Sequence, residues 1–297
     1  MKVWKRQLPL HIMMIPAIIF VFLFSYVPMS GVVIAFQKFV PNRGWFGSEW
    51  VGLDNFVYML NMPEIFQVVY NTVFIAVMKI ILGLIVPITA ALLLNEMRTK
   101  WIKQSVQTLI YLPHFLSWVI LGGVLIDILS IQDGIVNNML GALGINPVFF
   151  LGDYKWFPFT LVISDTWKEF GFATIIYLAA LTGIDPALYE SAYVDGANRW
   201  KQTIYITLPG MAPIIIMLAV LSLGNVLNAG FEQVFILYSP QVYQSGDIID
   251  TLVYRIGFMD AQYSVSTAVG LFKSVISFFL IVTSYGLAYK YANYRIF

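Results

Sequence analysis

The chain carries six apolar runs, each long enough to cross a hydrocarbon core as a helix, and nothing else constrains its fold so tightly. A bilayer core of about 30 Å needs roughly 20 apolar residues at the helical rise, because backbone amides must be satisfied internally where no water reaches. The runs fall near 12–33, 72–94, 106–129, 157–181, 211–236 and 267–289, with Pro16 and Pro28 in the first. Only 11% of the 297 residues are charged and the mean hydropathy is +0.78, whereas soluble domains carry about 25% charged residues. No long soluble stretch separates the runs. The expectation is an all-α membrane protein with six transmembrane helices forming a single transmembrane domain over 1–297.

Lys and Arg near the run ends set the orientation, since cytoplasmic loops are enriched in them. One set of segments holds Lys2, Lys5, Arg6, Arg98, Lys100, Lys103, Arg199, Lys201, Lys290 and Arg295; the other holds Lys38, Arg43, Lys155 and Arg255. Ten against four places both termini and the loop 182–210 in the cytoplasm. The first run is too long for a secretory signal, and no small-residue cleavage site follows it, so it reads as an uncleaved span. Outside, Trp45, Trp50, Phe56, Tyr58 and Trp156 fit a headgroup belt of aromatics; stacking on sugar rings is the other reading.

Several functions are excluded early. A net charge of +1 without a basic cluster argues against a nucleic-acid partner. With no cysteine, disulfides and thiolate metal sites are impossible, and His11 and His114 are too far apart in sequence to suggest a metal centre. No phosphate-binding G-x₄-G-K-[ST] loop occurs, nor a nucleophile elbow, zinc motif or glycine-rich dinucleotide turn. The external carboxylates Asp247, Asp250 and Asp260 show no spacing from which a glycosidase pair can be argued.

The loop 182–210 is the most specific segment. Asp185 can cap a helix that starts at Pro186, about two turns run from Ala187 to Val194, and Gly196 can end them with a positive φ. A second short helix is expected from Asn198 toward Thr207, interrupted at Pro209. Within it stand Glu190-Ser191-Ala192, then Gly196, then Ile206-Thr207-Leu208-Pro209, a pattern E-S-A-x₃-G-x₉-I-x-L-P. A charged loop between two spans is wet in any case; the full spacing in this place is the informative part.

That spacing resembles the EAA motif of type I ABC-importer permeases, the MetI-like class that includes the maltose permease. Glu190, Ser191, Ala192 and Gly196 match its E, A, A and G, and Ile206, Leu208 and Pro209 its closing I-x-L-P; Ser191 departs from the usual alanine but stays small. Trp50-Val51-Gly52-Leu53-Asp54-Asn55-Phe56, Tyr111-Leu112-Pro113-His114-Phe115-Leu116-Ser117-Trp118, Tyr177-Leu178-Ala179-Ala180-Leu181 and Gly230-Phe231-Glu232-Gln233 resemble its LplB/YteP branch, which imports complex oligosaccharides. The resemblance implies a short coupling helix seated in a groove of an ATPase subunit, with Asp195 and Arg199 also available for contact. It implies a bacterial cell membrane location and a heterodimer with a second homologous permease subunit. It further implies two ATPase subunits, which bind ATP and Mg that this chain does not, and an extracytoplasmic solute-binding lipoprotein. The chain would then be a transport subunit rather than an enzyme, without a cofactor of its own.

Ionisable groups inside spans are costly and point to function. Asp165, Trp167, Lys168 and Glu169 lie in the fourth run, with Asp165 and Glu169 one turn apart; they either pin helices together or line a sugar path. Asn225, Asn228 and Glu232 have the spacing of one helical stripe and suit sugar hydroxyls or interhelical bonding equally. Lys79 and Lys273 read as snorkelling side chains, with attraction of uronic acids as the other use. The reading as a whole is an oligosaccharide importer subunit working by alternating access, for acidic or neutral saccharides. The alternative is an ion-gradient-driven secondary carrier, which would need coupling-ion ligands and repeated halves.

Overall fold

The computed structural model describes residues 2–292, with side chains described for 7–286. Arg295, and the side chains of Lys2, Lys5, Arg6 and Lys290 used above for orientation, lie outside the described residues. Among the described residues, four helices have the length and apolarity to cross a membrane: Gln7–Phe36, Ile65–Glu96, Arg199–Gly224 and Tyr263–Gly286. Two bent pairs bring the number to six if each is one crossing: Lys100–Phe115 with Trp118–Ile128, and Phe157–Thr182 with Pro186–Val194.

Proline shapes two of these crossings in the same way. A proline lacks the N–H of a helical bond, and its ring collides with the carbonyl four residues back. Just before Pro28 the chain makes a π turn, Phe22–Tyr26, where the Val27 N–H donates to the Phe22 carbonyl. Before Pro209 it does so again over Thr203–Thr207, the Leu208 N–H donating to Thr203. The extra residue in each turn re-aims the carbonyls, and the helix continues through the ring. The expected interruption at Pro209 is therefore corrected: the chain from Arg199 to Gly224 is one continuous crossing.

Residues 1–65 and 252–273 form one compact unit. In it Gln37–Lys38 pairs antiparallel with Glu49–Trp50. Phe36 stacks on Trp50 at 5.7 Å and meets Phe56 at 5.3 Å. The Asn55 side-chain amide donates to the carbonyls of Ala35 and Gln37 at 2.8 and 3.0 Å. Phe56 is half-buried in this cluster, while Trp50, Tyr58 and Trp45 are exposed.

Of the described residues, 66–251 and 274–292 form the other unit. Ala91, Tyr177, Leu181 and Met211 are buried together, joining helices Ile65–Glu96, Phe157–Thr182 and Leu208–Gly224. Glycine permits the tightest approach in this unit: a Cβ on Gly171 would lie 1.9 Å from the Ile110 carbonyl oxygen.

Two runs differ from their expected form. The third, 106–129, turns by 106° between Lys100–Phe115 and Trp118–Ile128. Pro113 tightens the end of the first piece into a 3₁₀ turn. Ser117 is extended, and its hydroxyl accepts from the Ile120 N–H to start the second. The fifth run, 211–236, ends as a helix at Gly224; after the break 225–230 a separate helix, Phe231–Leu237, begins at Gly230 with φ of 93°. Asn225, Asn228 and Glu232 consequently do not form one helical stripe.

Candidate coupling site and intramembrane polar network

The coupling segment is built by local capping. The Asp185 carboxylate accepts from the Ala187 N–H at 2.9 Å, with Pro186 following at the first helical position. The helix Pro186–Val194 then lies at 70° to Phe157–Thr182. Its end is closed by Ala197 N–H to the Ala192 carbonyl at 2.9 Å and Gly196 N–H to Tyr193 at 3.1 Å, with Gly196 at φ of 75°. Only a residue without Cβ takes that conformation freely. Asn198 caps the next helix by accepting from Lys201 N–H at 2.9 Å.

Glu190, Ser191, Asp195 and Gly196 are exposed, and Ala192 is half-buried. Around them Leu188, Tyr193, Val194 and Trp200 are exposed, Val194 by 85%, an apolar surface that water does not favour. The Ser191 hydroxyl donates back to Ala187 and Leu188 carbonyls of its own helix at 2.9 and 3.1 Å. Its polar atom is thereby spent internally, which explains how serine stands where the motif has alanine. Arg199 is tied within the chain, 3.2 Å from Glu96 at the end of Ile65–Glu96. Behind the helix a cavity of about 840 Å³ is lined by Leu92, Glu96, Tyr189, Tyr193, Arg199 and Thr203, among others. The Tyr189 and Thr207 hydroxyls are hydrogen-bonded at 3.0 Å across its wall.

The polar residues of the fourth run separate into two sets. Asp165 pairs with Lys79 at 3.1 Å. Lys168 donates to Glu169 at 3.0 Å and to the His114 carbonyl at 3.0 Å, while His114 Nδ1 meets the other Glu169 oxygen at 2.7 Å. The His114 ring stacks on Phe172 at 4.0 Å, and the Lys168 ammonium lies 5.7 Å from the Trp118 ring centre. This set fastens the bent third run to the fourth. Trp167 points elsewhere, lining an apolar groove of about 240 Å³ with Leu125, Phe150 and Ile163.

Lys79 does not snorkel. Besides Asp165, its ammonium donates to the Ala229 carbonyl at 2.7 Å and to the Gln233 side-chain oxygen, and its side chain is 10% exposed. Gln233 in turn donates to the Leu161 carbonyl and the Ser164 hydroxyl, both at 2.8 Å. Asn225, Asn228 and Glu232 are exposed. Sequence reasoning missed Lys79 and Gln233 as a pair: a hydropathy window registers a charge but not its partner 154 residues away. The one available signal was a lysine and a glutamine in apolar surroundings, both needing partners.

Residues 83–296 match the family of binding-protein-dependent transport system inner membrane components. The polygalacturonan/rhamnogalacturonan transport system permease protein YteP of Bacillus subtilis is 41% identical over 98% of this chain and 91% of its own length. Protein LplB of the same organism is 39% identical over 100% of this chain and 93% of its own. A chain of a bacterial ABC transporter involved in import of the acidic polysaccharide alginate superposes with a TM-score of 0.90 at 39% identity, covering 98% of each chain. With near-complete coverage in sequence and in shape, and a capped, exposed helix where the motif requires one, the chain belongs to the family of binding-protein-dependent transport system inner membrane components and is a multi-pass permease of the cell membrane.

Proposed function

We propose that this chain is one of two permease subunits of an ATP-driven importer of acidic oligosaccharides, coupled to separate ATPase subunits through Pro186–Val194. The observation that carries the coupling role is the helix itself: capped at both ends, turned 70° from the fourth crossing, and presenting exposed Leu188, Tyr193 and Val194. Such a surface gains free energy when a partner groove covers it. Glu190 and Asp195 add charges at its rim, and Arg199, exposed beside Glu96, adds a third.

Mechanically, ATP and Mg bind in the ATPase pair, and closure of that pair displaces the coupling helix. The helix passes the displacement to Phe157–Thr182 and Arg199–Gly224, which it joins. The cavity between this subunit and a second, homologous permease then opens toward an external lipoprotein that delivers the saccharide; hydrolysis resets it. Support for acidic cargo comes from the relatives, named for polygalacturonan and alginate import. Asn225, Asn228, Trp167 and Glu232 are exposed polar and aromatic groups offered to the path, with Glu169 half-buried and held by His114 and Lys168.

The test is reconstitution of this chain with candidate ATPase, second permease and binding lipoprotein, followed by ATP hydrolysis and uptake with uronic-acid oligosaccharides and neutral ones of equal length. Hydrolysis stimulated at least severalfold by the acidic series is expected. Stimulation by neutral glycans alone overturns the cargo assignment. Uptake driven by a proton or sodium gradient without ATP overturns the coupling reading.

A further inference from the structure

We propose that Lys79 is the positioning residue for the break in the fifth crossing. Its ammonium reaches over from helix Ile65–Glu96 to fix where Asn225 and Asn228 stand. The inference rests on the reading of this chain as an importer permease.

Three observations meet at this point. An ammonium has three donors, and Lys79 places them on three acceptors: the Asp165 carboxylate, the Ala229 carbonyl and the Gln233 side-chain oxygen. The Ala229 carbonyl belongs to a fully buried residue in the unhelical stretch 225–230, where an unmet acceptor is costly. Gly230 stands at φ of 93°, and a Cβ there would lie 2.9 Å from the Lys79 ammonium. The break thus has a glycine both for its backbone conformation and to admit the lysine. Gln233 completes the arrangement by anchoring the following helix to Leu161 and Ser164 of the fourth crossing.

An ion pair serving only to join helices would need Lys79 and Asp165 alone. Here the lysine also satisfies the backbone of the interruption, on the stretch that exposes Asn225 and Asn228. Lys79 acts through Ala229 and Gln233, and touches no saccharide itself.

The natural chain has no cysteine, so a single reporter thiol can be placed cleanly. In full-length chain in membranes, Asn228→Cys is labelled with a soluble maleimide in three backgrounds: unaltered, Lys79→Met, and Lys79→Met with Asp165→Leu. The double change leaves no unpaired charge, so it rescues insertion and assembly if the pair merely joins helices. The expected result is that the double variant assembles as the parent does, the labelling rate of Asn228→Cys shifts by at least fivefold, and saccharide uptake, measured separately in chains that keep Asn228, falls at least tenfold. Parental labelling and uptake in the double variant overturn the proposal, because pairing would then be the whole role. Failure of the double variant to assemble overturns it equally, making Lys79 an assembly residue. Labelling needs neither ATP nor sugar. A shifted rate in a chain whose parent moves no saccharide therefore retains the positioning role while the importer reading fails.

Discussion

Ser191 and Gly196 stand five residues apart in one motif, and the structure gives them opposite tolerances. The Ser191 hydroxyl is bound back to its own helix, so Ser191→Ala removes only intrahelical hydrogen bonds. Coupled ATP hydrolysis is expected within about twofold of the parent, a change small against the roughly 1 kcal/mol of one hydrogen bond. Gly196 at φ of 75° is different: Gly196→Val forces a β-branched residue into the left-handed region at a cost of about 1–2 kcal/mol. Uptake per ATP hydrolysed should fall while insertion holds, and equal coupling in both variants would remove the motif's glycine from the mechanism. Gly171 is the second sensitive position, because its absent Cβ is where the Ile110 carbonyl passes. Gly171→Ala overpacks a backbone contact that cannot swing aside, at a cost toward the upper end of about 1–3 kcal/mol, read as a lowered melting temperature of the purified chain. The role of Gly196 is legible from its place just after the helix, whereas those of Ser191 and Gly171 are invisible in sequence, where each is only a small residue.

Whole elements show how far hydropathy carries. The second and sixth crossings were legible because a window of apolar residues is all they are; their ends overran expectation, to Ile65–Glu96 and Tyr263–Ala292, since the helices continue past the apolar window. The third and fifth were misread as continuous. A window counts apolar residues and carries no direction, so a 106° turn at Ser117 and the break at 225–230 leave the count unchanged. Cues were present in Pro113, Ser117 and Gly230. The coupling helix was read accurately for the converse reason: its caps, Asp185, Pro186 and Gly196, are local chemistry. Removing one cap tests that logic. Asp185→Ala should cost about 1 kcal/mol, roughly a fivefold drop in the ordered-to-frayed ratio of a two-turn helix, and raise the ATP hydrolysed per saccharide moved. An unchanged ratio would mean that a partner, not the cap, holds the helix in shape. Pro209 was read as a stop, whereas a π turn carries the helix through it; spacing rules register the ring but not the backbone's way around it.

For the molecule as a whole, the arrangement depends on which face meets the cytoplasm. Lys and Arg asymmetry assigns the coupling helix there and the Gln37–Trp50 hairpin outside. Val194 and Phe46 are each strongly exposed, so Val194→Cys and Phe46→Cys in the cysteine-free chain report the two sides. An impermeant maleimide added to sealed right-side-out vesicles should label Phe46→Cys fully and Val194→Cys only after the membrane is opened. The reverse pattern inverts the orientation and leaves no soluble ATPase able to reach the motif. Only 183–185 separate the fourth crossing from the coupling helix, and so short a hinge has little slack to lose a push in. At 1.5 Å per residue the crossing is a rod of about 39 Å, so a small tilt at its foot becomes a swing of several ångströms at its head. Under the proposed coupling, the rod works like an oar in a rowlock: a stroke made on one side of the bilayer would move the blade on the other.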